Sequence, residues 1–259
     1  MLKILSPALI LGFAVTSSAF AAMPLITDDT GTQGAAGNQL EFSLGEDKTK
    51  DTAGFTAKSL QRPALTYTRG LTDTLDAYVS ATWLKNSSDD PAVAGAKGSS
   101  NTGLGAKWRL FENERKTSFA VKATYLFPVS EEKQNQGLGD GEASWDGTLI
   151  LSQELPFGSA HANIGFGKVG VKNGDDEKTT HVSVAPIFDL GESFKLAVDL
   201  GQDTSKPNGG TKTTTHYREV GAIYSPHKDV DLALGYIRTK VKDVNEVTRT
   251  ITGGVTWRF

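Results

Sequence analysis

The last nine residues, Ile251-Thr-Gly-Gly-Val-Thr-Trp-Arg-Phe259, constrain the fold more than any other stretch of the chain. Apolar or small groups fall at 251, 253, 255, 257 and 259, with Thr252, Thr256 and Arg258 between them. Period-2 alternation marks a strand with one face in an apolar medium and the other in a wet one. A soluble protein rarely ends on a bare aromatic residue that also ends a strand.

The same alternation recurs along the chain in about a dozen segments of roughly ten residues, the length of a tilted membrane strand. Gln39–Gly45, Gln61–Arg69, Leu75–Trp83, Leu104–Leu110 and Phe119–Val129 are the first five. Trp145–Leu151, Ala160–Phe166, Val182–Phe188, Leu196–Leu200, Tyr217–Tyr224, Leu232–Tyr236 and Val247–Phe259 follow. In Tyr217–Tyr224 two parities compete, Val220/Ala222/Tyr224 against Gly221/Ile223. Short turns at Gly70–Asp73, Asn113–Lys116, Pro156–Ser159, Gly191–Ser193 and Ser225–Asp229 alternate with longer polar links. Those links are Glu46–Lys58, Lys85–Thr102, Ser130–Ala143, Val171–Thr179, Gln202–Lys212 and Thr239–Glu246. Alternating short and long connections are the mark of an outer-membrane barrel with an even strand number. Tyr67, Trp83, Phe119, Phe127, Trp145, Tyr236, Trp257 and Phe259 stand where its interfacial aromatic girdles belong. The expected fold is all-β: a transmembrane antiparallel β-barrel of about 12 strands over residues 38–259, with both termini periplasmic. A soluble β-sandwich is the competing architecture, and it gives no reason for those aromatics.

The amino-terminus fits this location. Lys3, the apolar run Ile4–Val15 and Ala19-Phe20-Ala21 have the form of a Sec-type signal peptide over residues 1–21, which precedes a segment 22–37 and then the barrel. Beyond it no stretch nears the roughly 18 consecutive apolar residues of a membrane helix. With 38% hydrophobic residues the chain is poor for a helical membrane protein and suits a barrel, where only alternate residues meet lipid. The absence of cysteine excludes disulfides, thiolate metal sites and thiol nucleophiles. A net charge of -3 without a basic run argues against nucleic acid as a partner. The expected partners are outer-membrane lipid, the barrel assembly machinery and a small-molecule solute. By likeness to other barrels, Val255, Trp257 and Phe259 form the closure signal that the machinery reads.

Assigning the apolar face to lipid sends the other parity into the lumen. Glu41, Arg62, Lys107, Arg109, Lys122, Asp146, His161, Asp189, Asp199 and Arg258 then point inward. Pairing through the connections puts Glu41 opposite Arg62, Arg62 opposite Ser80, Ser80 opposite Lys107 and Lys107 opposite Lys122, with Tyr78 and Arg109 beside them. This charged belt either lines a constriction that selects solutes or props the wall as an ion-pair network, and the residues leave both readings open. Six acidic lumen groups stand against six basic ones, so general ion selectivity is not expected; only the local basic excess hints at anionic groups.

Enzyme signals are weak. Gly165-Phe-Gly167-Lys-Val-Gly170 has the spacing of a dinucleotide fingerprint without the helix that should follow. His161 and His181 fall at opposite ends of their strands, too far apart to share a metal. No G-x-S-x-G elbow is present, and no Ser–His pair stands out at a rim. Neither catalytic residues, cofactor nor metal are expected. Asp28 and Asp29, followed by Gly31, suit an Asx-type turn better than a cation site, and the segment holding them is long enough to fold into the periplasmic mouth as a small plug, near Arg258.

Pro24-Leu-Ile-Thr-Asp-Asp-Thr-Gly-Thr-Gln-Gly34, followed by Gln39-Leu-Glu-Phe42, resembles the opening of the outer-membrane transporter family named for the MetA pathway of phenol degradation. The resemblance is specific over Pro24–Phe42 and architectural beyond it. It implies uptake of aromatic or other small hydrophobic compounds, although the extended amino-terminal hatch of the fatty-acid and hydrocarbon channels is missing here. The expected function is a passive outer-membrane channel, with a closed structural or surface-interaction barrel and a lipid-modifying outer-membrane enzyme as alternatives. Arg62, Lys107, Arg109 and Lys122 are the expected constriction, tempered by Glu41, with Asp28 and Asp29 seating the amino-terminal segment.

Overall fold

A computed structural model describes residues 23–50, 54–242, 244 and 246–259, without the side chains of residues 62 and 63. The proposed signal peptide and residue 22 lie outside the described residues.

Each alternating segment forms a strand, and most strands run past the segment's apolar part. In order they are β1 (Asn38–Lys50), β2 (Thr56–Gly70), β3 (Leu75–Ser88), a short β4 (Ala96–Ser99), β5 (Thr102–Glu112), β6 (Thr117–Phe127), β7 (Ser144–Leu155) and β8 (Gly158–Val169). β9 (Glu177–Asp189), β10 (Phe194–Pro207), β11 (Thr213–His227), β12 (Val230–Val241) and β13 (Val247–Arg258) complete the chain. One short helix, α1 (Glu131–Asn135), sits in the β6–β7 loop. Every neighbouring pair is antiparallel, and β1 pairs with both β2 and β13, so the long strands close into a 12-stranded barrel. β4 adds only a hairpin edge to the upper part of β3. Full closure leaves the barrel wall no open edge, as a hydrocarbon environment requires.

Most of the expected long links are shorter in the structure. Polar stretches such as Glu46–Lys50 and Thr56–Ser59 carry no apolar face and read as loop, yet they pair rung for rung. Only the connections 89–101 and 128–143 remain long, at the end of the barrel opposite the termini.

The outer face is apolar. Val220 is 60% exposed and Leu234 61%, amid Leu104, Leu149, Ile164, Val182 and Ile251. Side chains of this size open to the surroundings around a closed wall are the lipid belt of a membrane barrel. Aromatics rim it. Near the termini Trp257 and Phe259 lie 4.5 Å apart and Phe157 stacks on Phe188; at the other end Tyr125 faces Trp145 across the β6–β7 ladder. Val255, Trp257 and Phe259 all lie on this outer surface of the closing strand. Of the expected girdle residues, Trp83 and Phe119 are only half-exposed.

Inside, the parity of β11 resolves to Tyr217, Glu219, Gly221 and Ile223. Together with Ala120, Ile150, Ala185, Ile187, Ala197 and Ile237 they make an interior that is partly apolar and closely filled.

Candidate functional site

The filling is supplied by the chain's own amino-terminal segment. Residues 23–34 run inside the barrel from the termini end to mid-height and across to the far wall. Near the entry, Gly70 N–H donates to Gly37 O at 2.9 Å and Ala36 N–H donates to Gly70 O at 3.0 Å. A methyl group on Gly70 would stand 1.8 Å from Gly34 O, so the hinge between segment and wall requires glycine there. Deeper in, Gln33 N–H donates to both oxygens of Asp76 at 3.2 and 3.0 Å, and Thr30 N–H donates to Ser152 Oγ at 3.1 Å. Thr30 Oγ1 lies 2.5 Å from Ser118 Oγ. On the far side Asp199 accepts from Ile26 N, Thr27 N, Thr27 Oγ1 and Tyr217 Oη at 2.7–3.0 Å. Leu25 packs on Ala185, Ile187 and Ala197, and Pro24 lies over Gly221 and Gly235, where any Cβ would strike it.

At mid-height the two aspartates meet the two inward lysines. Lys122 Nζ is 3.0 Å from Asp28 Oδ2, with side-chain exposures of only 4% and 2%. Lys107 Nζ donates to Asp29 O at 3.2 Å and lies 3.6 Å from Asp29 Oδ1. Asp29 Oδ1 also accepts from Gly31 N at 2.6 Å, closing an Asx turn. With its amide turned to suit its neighbours, Asn163 donates to Asp28 O at 3.0 Å and accepts from Asp28 N at 2.6 Å. Asp28 Oδ1 is buried without a hydrogen-bond partner.

The other expected belt residues divide into near and far. Lys107 and Lys122 are direct cross-strand neighbours, as expected, although a bulge at Arg109/Phe111 shifts the ladder by one residue between them and the turn. Tyr78 is buried beside them, its hydroxyl 2.8 Å from Thr124 Oγ1 and its ring 5.7 Å from Lys122 Nζ; Thr124 in turn donates to Asp146 at 3.1 Å. Glu41 points inward and is buried. It pairs with Thr66 rather than Arg62, and Ser80 faces Thr66 and Gly103 rather than Arg62 and Lys107. Lys107 is opposite Asp76. Two things displace the register. The β1–β2 hairpin turns later than its charge pattern suggests, with bulges at Ser43/Gly45 and Gln61/Ala64, and the upper part of β3 pairs with β4 before β5 begins. The side chain of Arg62 lies outside the described residues. Arg109 does not join the belt: it pairs with Glu112 at 3.1 Å and donates to Asp73 O near the termini end. Arg258 does not meet the aspartates either, since it binds Asp231 at 2.6 Å at the mouth while Asp28 and Asp29 sit deeper.

Asp189, Lys195, Arg109, Arg258 and Asp29 line a vestibule of about 490 Å³ at the termini end. Beyond the segment, Met23–Ile26 border a much smaller cavity of about 40 Å³ against β1, β2, β12 and β13. The chain segment therefore separates two spaces within the barrel.

Three features escaped the sequence. Glu219 faces the lumen, fully buried with both carboxylate oxygens unpartnered, and was hidden by the ambiguous parity of its strand. Asp47 also faces inward and accepts from Thr250, so the inner wall is more acidic than six against six. Two Ser–His contacts exist on the inner wall, one of them lining the vestibule at the termini end. His161 bridges Ser152 and Ser159 at 2.8 and 3.0 Å. His181 lies 2.7 Å from Asp203 and 2.8 Å from Ser183, whose hydroxyl is 2.8 Å from Thr27 Oγ1. The latter chain ends on the plug, with Ser183 buried beneath Thr27, and acts as a relay of hydrogen bonds that holds the segment.

No family model matches the chain, and no curated protein matches it. Solved structures do. An outer membrane channel from Pseudomonas putida F1 superposes with a TM-score of 0.75 at 13% identity, over 89% of this chain and 98% of that one. The beta domain of the Bordetella autotransporter Brka gives 0.56 at 11% identity, over 86% and 100% of the two chains. The NanC porin gives 0.53 at 10% identity, over 84% and 98%. The chain has the fold of outer-membrane β-barrels.

Proposed function

We propose that this protein is an outer-membrane channel, inserted with both termini on the periplasmic side, that carries small solutes by passive diffusion. The observation that supports this best is how the lumen is closed. A single threaded segment, held by hydrogen bonds and two ion pairs instead of a continuous packed core, stands between a vestibule of about 490 Å³ and the far half of the barrel. A barrel serving only as a scaffold has no need of a filling threaded in from its own terminal segment. The likeness of Pro24–Phe42 to the MetA-pathway transporters supports aromatic or other small hydrophobic compounds as the solute class, and Ile187 and Ile223 in the vestibule wall agree with it.

The test is conductance in planar bilayers, comparing the intact chain with a variant lacking residues 23–34. The channel reading expects rare, brief steps from the intact protein and stable open steps from the deletion. A deletion variant that folds, inserts and conducts nothing would leave a closed barrel acting through its loops.

A further inference from the structure

We propose that docking of the amino-terminal segment takes up one proton, held in a buried chain of hydrogen bonds between Asp203 and Asp199, so that the lumen closes more firmly as the pH falls. The proposal goes beyond the channel reading and shares with it only the premise that the segment can leave the lumen.

The chain runs along β9 and β10 and crosses into the segment. His181 and Ser183 stand two residues apart on β9, and Asp203 of β10 is the register partner of His181. His181 Nδ1 lies 2.7 Å from Asp203 Oδ1, and its Nε2 lies 2.8 Å from Ser183 Oγ. Ser183 Oγ is 2.8 Å from Thr27 Oγ1, which is 2.7 Å from Asp199 Oδ1. Each of these four contacts needs one proton between its atoms, because bare lone pairs facing one another at such distances repel. With the imidazole neutral and both carboxylates ionised, only three protons are present, one on the ring and one on each hydroxyl. Tyr217 Oη brings one proton to one further contact, with Asp199 Oδ1 at 3.0 Å, so the shortfall stays. A fourth proton completes the chain wherever it sits. On His181 it lets every hydroxyl donate toward Asp199, and on Asp199 it reverses the chain so that every group donates toward Asp203.

The demand for that proton comes from the segment. Without Thr27, the contacts of His181 with Asp203 and Ser183 are two, and the ring and the Ser183 hydroxyl supply two protons. With Thr27 docked, Thr27, Ser183 and Asp199 are all buried, where a contact lacking its proton is not relieved by bulk water. Other ionisable groups surround the chain. Asp146 of β7 lies within electrostatic reach of His181, and Tyr217 of β11 stacks on the ring at 6.1 Å. Glu219 of β11 is the register partner of Asp199, with both its oxygens unpartnered. His161 of β8 acts on Asp199, while Lys122 of β6 and Asp28 of the segment act on Asp146.

The experiment reads release of the segment with Leu25→Cys, two residues from Thr27 and 4% exposed when docked, in a chain with no other cysteine. Glu219→Gln in the same background keeps the acid opposite Asp199 from titrating. Maleimide labelling of the purified protein in detergent is divided, at each pH, by that of the same thiol in the urea-unfolded chain, and the ratio measures the released fraction. Uptake of one proton on docking changes the docked-to-released ratio by up to about tenfold per pH unit. The released fraction is therefore expected to rise at least tenfold between about pH 5 and pH 8, the span over which imidazole groups exchange protons in proteins. Thr27→Val keeps the shape of the side chain and breaks the link, so the rise is expected to shrink to under threefold. Asp203→Asn is the sharper variant. Its amide donates to His181 Nδ1 and supplies the fourth proton without titrating, so the segment is expected to stay docked at pH 8 as firmly as the parent at pH 5. Unchanged heat-modifiable migration in gels verifies that each barrel is folded. A parent whose released fraction varies less than threefold, an undiminished rise in Thr27→Val, or release of Asp203→Asn at pH 8 to the parent's extent overturns the proposal. Labelling without pH dependence sinks the proton site alone, whereas no labelling at any pH, even with Lys122→Met added, sinks the removable plug and this proposal together.

Discussion

Replacing Lys122 by methionine is the sharpest perturbation of the closed lumen. The substitution keeps the length of the side chain and removes its charge, leaving the Asp28 carboxylate 2% exposed without the cation 3.0 Å away. Losing one partner of a buried pair costs about 3–5 kcal/mol, because the remaining ion stays desolvated. At about 1.4 kcal/mol per tenfold, the ratio of docked to released segment falls by roughly two to three and a half powers of ten. The barrel wall should be little affected, since its ladders are independent of the segment. Because the chain has no cysteine, Thr30→Cys provides a single reporter at a position 4% exposed in the docked state. In that background, maleimide labelling is expected to accelerate at least a hundredfold with Lys122→Met, at unchanged thermal stability of the barrel. Adding Asp28→Asn removes the orphaned charge and is expected to restore most of the protection, giving a coupling energy of several kcal/mol, on the scale of a buried pair, in the double-mutant cycle. A labelling rate within threefold of the parent, or no recovery in the double variant, would refute the claim that this ion pair anchors the plug.

Three other outcomes follow from single positions. Gly70→Ala puts a methyl group 1.8 Å from Gly34 O, so faster labelling at position 30 is expected with the strand ladders intact by circular dichroism. Leu234→Arg, on the lipid face in mid-strand, is expected to cost about 2–4 kcal/mol in urea titrations of bilayer-refolded protein, whereas Val247→Arg, on the outward parity of β13 near the loop end, should cost under about 1. In the loop beyond β6, burial and the nearby Glu177 push the Asp140 carboxyl above its ordinary value, against the opposing hydrogen bond from Ser144. A raised carboxyl contributes order that is full below the unfolded value of about 3.9 and is lost as pH rises through the folded one. Hydrogen exchange in residues 128–143 should therefore be slower at acid than at neutral pH after correction for intrinsic rates, and Asp140→Asn should reduce that difference.

The barrel was legible because a lipid-facing wall must alternate, and β13 displays the alternation without interruption. Strand number and outer face follow from that one physical demand. Strand ends were not legible, because polar rungs such as Asp47–Ser59 and Lys48–Lys58 pair beyond the apolar band with no amphipathic signature. Register was legible across the short turn at Asn113–Lys116 and lost across β1–β2–β3–β5, where bulges and the added β4 consume residues that no local pattern announces. Lys107 and Lys122 were thus found as neighbours, but their counter-ions were not. Asp29 lies 78 positions from Lys107 and Asp28 94 from Lys122, and only the threading of the segment brings them to the belt. Glu219 was missed for a different reason: β11 packs its inner face against Pro24 and Leu25, so small and apolar residues occur on both parities and mask the wet side.

Whether this segment closes the lumen reversibly is tested most directly by locking it. Thr30 Oγ1 and Ser118 Oγ stand 2.5 Å apart, near enough for a disulfide between Thr30→Cys and Ser118→Cys in a chain that has no other cysteine. Bilayer recordings of the oxidised protein are expected to show a silent barrel, and addition of reductant to the same bilayer should bring the steps characteristic of the intact chain. Steps of equal size and frequency before and after reduction would contradict the account, because solute would then be passing a plug that cannot move.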